Sequence, residues 1–306
     1  MVTVYTTFIR VRYLASRLSL AYLFDRLQLA SLIIIAGVVA YSTHSFWIRQ
    51  NVYREQPTVS YASQYILLVD LGSSQLFFTP NATLNRLLGD SSRAALVKVT
   101  QQDSNNDGIF DYIYWNAQIP LVASEAVVGV SVLLEFNFRL TSYAQLSMTS
   151  YAYYQFSSGA PLRELSVIGN LLFQQRYALS VTSPSVAFNS SVIVVSSPPS
   201  LQDMNLFTIL YNLSSRPVLT YYQNTLPIAS TGAAPGDLYI NLTIQNPPQN
   251  ILYQPDTWEV LKYAWIQYAA MLLIGIFFSN IIRDFVYQNQ IFSTRIKYDE
   301  LKPHQF

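Results

Sequence analysis

The sequence has no cysteine, only two histidines and little charge. The missing cysteines exclude disulfides, thiol catalysis and cysteine-based metal sites, so any folded domain here must be held by burial and hydrogen bonding alone. The histidines are His44, near the end of an apolar run, and His304, close to the last residue. Neither serves a pocket in the long middle of the chain. A His-ligated metal hydrolase, a Cys–His pair and a Ser–His–Asp triad are therefore excluded there. Sequence spacing gives no reason to pair Glu125, Glu135 and Glu164 as acid–base carboxylates, and they read as solvated strand or loop charges. No enzymatic activity, small-molecule substrate or required cofactor is expected. Charged residues make up 11% of the chain, against roughly 25% in a typical soluble protein. The net charge of +1 offers no basic footprint for nucleic acid.

Charge is absent above all from two long apolar runs. Tyr263–Ile282 lies between Lys262 and Arg283, and its 20 residues suffice to cross a bilayer as a helix. Trp258, Tyr263 and Trp265 gather at one end, where amphipathic rings favour the headgroup level. Leu27–Ile48, between Arg26 and Arg49, is the second run, with Phe46 and Trp47 at its far end. A buried core helix competes for the first run, and a cleaved signal peptide for the second. The second run is too long for a signal peptide, and bulky residues follow it, which favours a retained anchor. Neither run carries an ionisable residue at mid-depth, the usual mark of an ion path. Gln267, Ala269, Ala270, Gly275 and Asn280 are the candidate contact points for another helix, and Ala36-x-x-x-Ala40 beside Gly37 offers a weaker one.

Two spans put both termini on one side. Residues 1–26 hold four arginines against one aspartate, whereas residues 49–262 hold ten basic against thirteen acidic residues. The positive-inside rule then places 1–26 and 283–306 in the cytoplasm and 49–262 outside or in the lumen. The chain divides accordingly: a cytoplasmic segment 1–26, spans 27–48 and 263–282, an extracytoplasmic domain 49–262 and a cytoplasmic tail 283–306. Residues 1–26 mix apolar side chains with their arginines, without proline or glycine, and read as a basic amphipathic helix lying on the membrane or as a frayed terminus.

The intervening domain reads as β. Val128–Leu140 alternates apolar even positions with polar odd ones, Leu133 excepted, which predicts one buried and one wet face. Leu238–Gln245 repeats the pattern. The segments 59–69, 95–100, 109–119, 145–156, 166–178 and 191–195 are rich in β-branched and aromatic residues. The clusters 196–200, 230–237 and 245–250 read as loops. The expected fold is a membrane protein whose two transmembrane helices flank an all-β, antiparallel sandwich-like extracytoplasmic domain.

Two motifs within this domain carry chemistry. In Asp103-Ser-Asn-Asn-Asp-Gly-Ile-Phe-Asp111 the side chains of Asp103, Asn105, Asp107 and Asp111 fall at positions 1, 3, 5 and 9 of a calcium loop, with glycine at position 6 and the Ile109 carbonyl at 7. Position 12 is Tyr114 rather than a bidentate glutamate, and no helical pattern flanks the loop. A structural Ca2+ site and an Asx-rich hairpin turn are both open. The Asn-x-Ser/Thr acceptor occurs at Asn81, Asn189, Asn212 and Asn241, all between the spans.

The segments SFWIRQNVYREQPTVSY (45–61), NRLLGD (85–90), DSNNDGIFD (103–111), YQPDTWEVLKYAWIQY (253–268) and FVYQNQ (285–290) resemble the transmembrane protein 231 family of the ciliary transition zone. The resemblance implies a two-span protein with a large extracytoplasmic domain. It also implies a structural role in the diffusion barrier at the ciliary base, and in cilium assembly and signalling. Implied partners are membrane lipid, tectonic-like and other transition-zone membrane proteins, and Meckel-complex subunits. The alternative class is an accessory subunit of a channel or lipid flippase, which shares the plan of two spans and a glycosylated β-rich domain.

Overall fold

A computed structural model describes residues 11–43, 46–122, 124–191, 193, 205–232 and 236–298. In chain order the elements are β1 Val11–Leu14, α1 Leu20–Ser42, β2 Asn51–Glu55, β3 Thr58–Asp70, β4 Gln75–Phe78, α2 Ala82–Leu88, β5 Leu96–Gln102, β6 Tyr112–Ile119, β7 Gly129–Leu140 and β8 Leu146–Ser157. They continue with β9 Leu162–Gln175, β10 Leu179–Ser180, β11 Ser185–Phe188, α3 Leu206–Ser214, β12 Val218–Thr231, β13 Leu238–Gln245, β14 Gln249–Gln254, α4 Thr257–Gln288 and β15 Arg295–Tyr298. Two compact units result. One is Gln50–Pro255, and the other joins the two ends of the chain, up to Arg49 and from Asp256.

The first unit is a β-sandwich. Its two five-stranded sheets run in the order β11-β8-β7-β3-β4 and β12-β9-β13-β6-β5. Alternation builds the interface between them: Ile113, Trp115, Ala117 and Ile119 of β6 and Leu238, Ile240, Leu242 and Ile244 of β13 are all buried. They share one core with Val59, Val132, Phe136 and Phe138 of the facing sheet. Most pairings are antiparallel, but β13 runs parallel to β9, β11 to β8 and β10 to β14. A third sheet, β10-β14-β2, completes the unit.

The expected wet face of β7 is not wet at its centre. Leu133 and Glu135 are buried there. Ile66, Leu133 and Tyr151 form a second core with Leu84 of α2, Ile193 and Ile209 of α3. Two short helices thus cover the outer face of this sheet, and Leu133, the residue out of step with the alternation, is their contact point. The expected strand 191–195 falls mostly outside the described residues; Ser191 and Ile193 are not in a strand.

The second unit is built on α1 and α4. Of the most apolar stretch in each, only 11% in α1 and 6% in α4 is buried, which rejects the reading as core helices of a soluble protein. The helices do not coincide with the uncharged runs. Helix α1 starts at Leu20, because Ser19 caps it by accepting the Tyr22 N–H at 3.3 Å. It stops at Ser42 rather than Ile48. The Ser42 hydroxyl donates to Val38 O at 2.7 Å and that of Thr43 to Ala40 O at 2.6 Å, closing the last turn. Helix α4 runs from Thr257 to Gln288, past both Lys262 and Arg283. The uncharged run marks the apolar slab, whereas capping marks the start of α1 at Ser19 and the end of α4, where Asn289 Nδ2 donates to Phe285 O at 2.7 Å.

Of the segment 1–26, read as an amphipathic helix or a frayed terminus, residues 1–10 lie outside the described residues, and the rest is not one helix. Residues 11–14 are β1, paired antiparallel with β15, so the two ends of the chain close in a two-stranded ribbon.

Candidate functional site

The two membrane helices contact each other through small and polar residues. Gln28 Nε2 donates to Ser279 O at 2.7 Å and to Ser279 Oγ at 2.8 Å. Thr43 Oγ1, whose hydrogen goes to Ala40 O, lies 3.3 Å from Gln267 Oε1, and the Tyr287 hydroxyl donates to Ala21 O at 3.1 Å. A Cβ on Gly275 would lie 2.5 Å from Leu32 Cδ1. Ala36 and Ala40 are buried. Of the expected helix-contact points, Gln267 and Gly275 thus meet α1 of the same chain. Ala269 is half-buried, and Ala270 and Asn280 are exposed, Asn280 accepting from Arg283 Nη2 at 3.4 Å. The exposed surface of α4 away from these contacts is a different set, large and apolar: Trp265, Ile266, Leu273, Phe277 and Ile281.

The acidic loop joins β5 to β6, and most of its side-chain oxygens accept hydrogen bonds, whereas Asp103 Oδ1 is buried with no hydrogen-bond partner. Asp103 Oδ2 accepts the Gly108 N–H at 2.8 Å, and Asp107 Oδ1 accepts that of Ile109 at 2.8 Å. Asp107 Oδ2 accepts from Asn105 Nδ2 at 2.8 Å, while Asn105 Oδ1 accepts the Asp107 N–H at 3.1 Å. Asp111 accepts from Gln56 Nε2 at 2.8 Å and from the Ser104 N–H at 2.9 Å. These bonds, the Gln56 amide first, hold the Asp111 carboxyl below the usual range. Asn106 and Gly108 take left-handed backbone, φ 58° and 85°, as a tight Asx-rich turn requires. Among the described residues no three or more His, Cys, Asp or Glu side chains are grouped to hold a metal ion.

The four sequons differ in their surroundings. Asn189 and Asn212 are exposed. Asn81 caps α2, its side-chain oxygen accepting from the Thr83 and Leu84 N–H groups. Asn241 sits in the middle of its sheet, its Nδ2 donating to Glu164 Oε1 and Ser166 Oγ, both at 3.2 Å. His44 and His304 lie outside the described residues.

Of the carboxylates read from the sequence as solvated charges, Glu164 is exposed, whereas Glu125 and Glu135 are structural. Arg93 Nη1 and Nη2 grip Glu125 at 2.8 and 2.6 Å, and the pair lowers the Glu125 carboxyl. Glu135 is 5% exposed, and the Ser191 hydroxyl donates to its Oε2 at 2.6 Å. Burial pushes its carboxyl up against the opposing effect of that bond. Glu55, unremarked in the sequence, is buried at the end of β2 and accepts the N–H groups of Thr141 and Ser142 at 2.8 and 3.1 Å, bracing the β7–β8 turn. None of these partners is near in sequence, so spacing carried no signal of them.

Two long, nearly bare apolar helices at the ends of a β-sandwich define a two-span membrane protein with a large β-rich domain. The profile of the family described as Transmembrane protein 231 matches residues 1–296, and the chain belongs to that family. It is similar to proteins named Transmembrane protein 231. It is 37% identical to that of Homo sapiens over 286 residues, covering 92% of this chain and 90% of the relative. It is 36% identical to that of Gallus gallus over 261 residues, covering 84% and 81%. It is 34% identical to that of Xenopus tropicalis over 289 residues, covering 93% and 92%. Among solved structures, a chain of a proton-activated chloride channel aligns over 87% of this chain and 98% of its own. Its identity is 8% and its TM-score 0.24, too low to support any argument.

Proposed function

We propose that the chain is a structural, non-catalytic membrane subunit of the ciliary transition-zone complex. In this reading it contributes to the barrier between ciliary and plasma membrane, with both termini in the cytoplasm. The observation that carries the reading is family membership over nearly the whole chain. The division of labour on α4 fits it. One side of the helix is occupied by α1, and the other presents aromatic and branched side chains that suit packing against the helices of tectonic-like or other transition-zone membrane proteins. Within lipid such packing is driven by shape and a few polar contacts, since apolar burial gives no net drive. Asn189 and Asn212 are the sequons that the fold leaves exposed, which suits them to carry glycans on the outer side.

The test changes only the outward face. Replacing Trp265 and Phe277 together by leucine in a tagged full-length chain keeps the span apolar and leaves Gln267, Gly275 and Ser279 on α1. Insertion and glycosylation are expected to persist, while recruitment to the ciliary base falls and plasma-membrane proteins enter the cilium. Undiminished recruitment moves the partner surface to the β-domain. Co-purification with a multi-span transporter, without a ring at the ciliary base, would replace the reading by the accessory-subunit class.

We infer further that the acidic loop acts as a hairpin closure, since each of its three aspartates has an oxygen that accepts a backbone N–H: Asp103 from Gly108, Asp107 from Ile109 and Asp111 from Ser104. Thermal melting of the full chain in detergent is expected to coincide with and without calcium. A calcium-dependent rise that Asp107→Ala abolishes would establish an ion site instead.

A further inference from the structure

Where α1 and α4 lie side by side they leave a groove of about 310 Å3, within the range of small-molecule sites. Its polar and apolar residues are segregated. Gln28 and Ser31 of α1 and Ser279 of α4 line one end, and Val39 and Met271 line the other. Between them stand Ile35, Ile274 and Phe278, each more than half exposed. None of the described residues of the lining is charged.

The polar end holds an unmet hydrogen bond. Gln28 Nε2 donates to Ser279 O and to Ser279 Oγ, which leaves Gln28 Oε1 buried without a partner. The Ser31 hydroxyl turns back to Gln28 O at 2.9 Å and gives Oε1 nothing. In hydrocarbon no water stands in for a missing donor, so an orphaned acceptor is costly there. The depth of this end follows from the uncharged runs, which begin at Leu27 and finish at Ile282. It lies at the edge of the apolar slab, on the side of the chain ends. From Gln28 to Val39 the groove runs roughly 16 Å at about 1.5 Å per residue, which is about one leaflet of a hydrocarbon core about 30 Å thick.

These features select the occupant. A phospholipid or a fatty acid carries charge at its head, and the lining offers no cation to meet it. A partner helix crosses both leaflets and has no need of polar residues gathered at one end. A sterol has one neutral hydroxyl at the edge of the hydrocarbon and a rigid apolar body about one leaflet long. Its hydroxyl can donate to Gln28 Oε1, while its rings lie against Phe278 and the branched side chains of Ile35 and Ile274.

We propose that the groove between α1 and α4 is a sterol site, with Gln28, Ser31 and Ser279 at the hydroxyl end. The inference rests on the chain being a membrane protein and is independent of the ciliary reading.

The experiment places the full chain in phosphatidylcholine nanodiscs with a photoreactive cholesterol and locates the adducts by peptide mass spectrometry. Label is expected within residues 28–39 and 271–282, and unlabelled cholesterol should displace it. Cholesteryl methyl ether keeps the shape but cannot donate. It should compete roughly two- to tenfold less well, the worth of one hydrogen bond. Ceramide, which is uncharged and hydroxylated but flexible, should also compete less well than cholesterol. Ile35→Trp fills the groove and should abolish labelling. Ile34→Trp adds the same bulk at an exposed neighbour outside the lining and should leave labelling unchanged. Gln28→Leu removes the acceptor without adding bulk, and in that chain cholesterol and its ether should compete equally. A merely structural role for Gln28 would not erase that difference. Label spread evenly over both helices, undiminished labelling of Ile35→Trp, or equal competition by the ether or by ceramide in the parent chain overturns the proposal. So does an advantage of cholesterol over its ether that survives Gln28→Leu. A dimer of the chain that excludes the label would give the groove to a second copy instead.

Discussion

Trp115→Ala is expected to destabilise the β-domain by about 3–5 kcal/mol, the range for emptying a large aromatic from a packed core. Trp115 lies at the middle of β6, paired with Val99 of β5 on one side and Leu242 of β13 on the other, and it is fully buried. Its ring meets Tyr65 edge-on at 5.7 Å, and its Nε1–H donates to the Tyr61 hydroxyl at 3.3 Å. Both tyrosines belong to β3 of the opposite sheet and stand on either side of a break in register where Ser63 takes a φ of 61°. The indole therefore joins the sheets where one strand bulges. Truncation removes the apolar contact, leaves a cavity and takes a donor from Tyr61, whose hydroxyl burial already pushes up to about 12. For a domain of this size the loss corresponds to a fall in melting temperature of roughly 6–20 °C. Circular dichroism of the full chain in detergent would read it. Trp115→Phe, which keeps the ring contact but not the donor, should fall by much less. A shift for Trp115→Ala no larger than that for Trp115→Phe would show that the indole does not join the sheets.

The strands that could be read in advance are those whose two faces meet different solvents. In β13, Leu238, Ile240, Leu242 and Ile244 alternate with polar residues because one side of that sheet faces solvent. The longest strand missed, β12, obeys that rule only from Val218 to Tyr222, where Val218, Thr220 and Tyr222 are buried. Beyond that point every residue to Thr231 is exposed at the sheet edge, and Pro227 cannot donate to a ladder. Its pairing is fixed by β9, which is distant in sequence, so composition alone read its end as loop. The same limit explains the ribbon of β1 and β15, whose partners stand at opposite ends of the chain.

For the membrane unit, the apolar slab was legible and the use of its polar residues was not. Gln267 and Gly275 stood out as contact points because a polar or small residue in lipid needs a reason to be there. Which helix answers them is a tertiary fact, and the Thr43 and Leu32 contacts place it within the chain. The acidic loop shows the reverse case. Its spacing fits ion ligands and Asx turns alike, and the hydrogen bonds that its carboxylates accept from Gly108, Ile109 and Ser104 depend on a backbone path that spacing does not specify.

Gly169→Val is expected to leave little folded β-domain. Gly169 lies in β9 between Asn224 of β12 and Ile244 of β13, on the face where Leu165, Val167 and Leu171 enter the core. The Tyr222 ring crosses the space that a side chain would take, with its hydroxyl donating to Thr243 O at 3.1 Å and its edge against Tyr154 at 6.1 Å. A Cβ on residue 169 would stand 2.5 Å from Gln223 O and 2.7 and 2.8 Å from two Tyr222 ring atoms. The carbonyl is backbone and the ring is held at both ends, so neither moves cheaply. Overpacking of this kind costs about 1–3 kcal/mol for one added carbon. The branched side chain of valine adds two more, enough to consume much of a typical stability of 5–15 kcal/mol. Gly169→Ala should therefore melt measurably lower, and Gly169→Val should accumulate poorly and expose its strands to protease. At Gly159 a Cβ meets nothing within 4 Å, and Gly159→Ala should stay within about 0.5 kcal/mol of the parent. Removing the obstructing ring supplies the decisive comparison. Tyr222→Ala alone destabilises, yet adding Gly169→Ala to it should cost less than Gly169→Ala costs in the parent chain, a coupling between residues in contact. Strict additivity of the two changes would mean that the glycine is not kept clear for Tyr222.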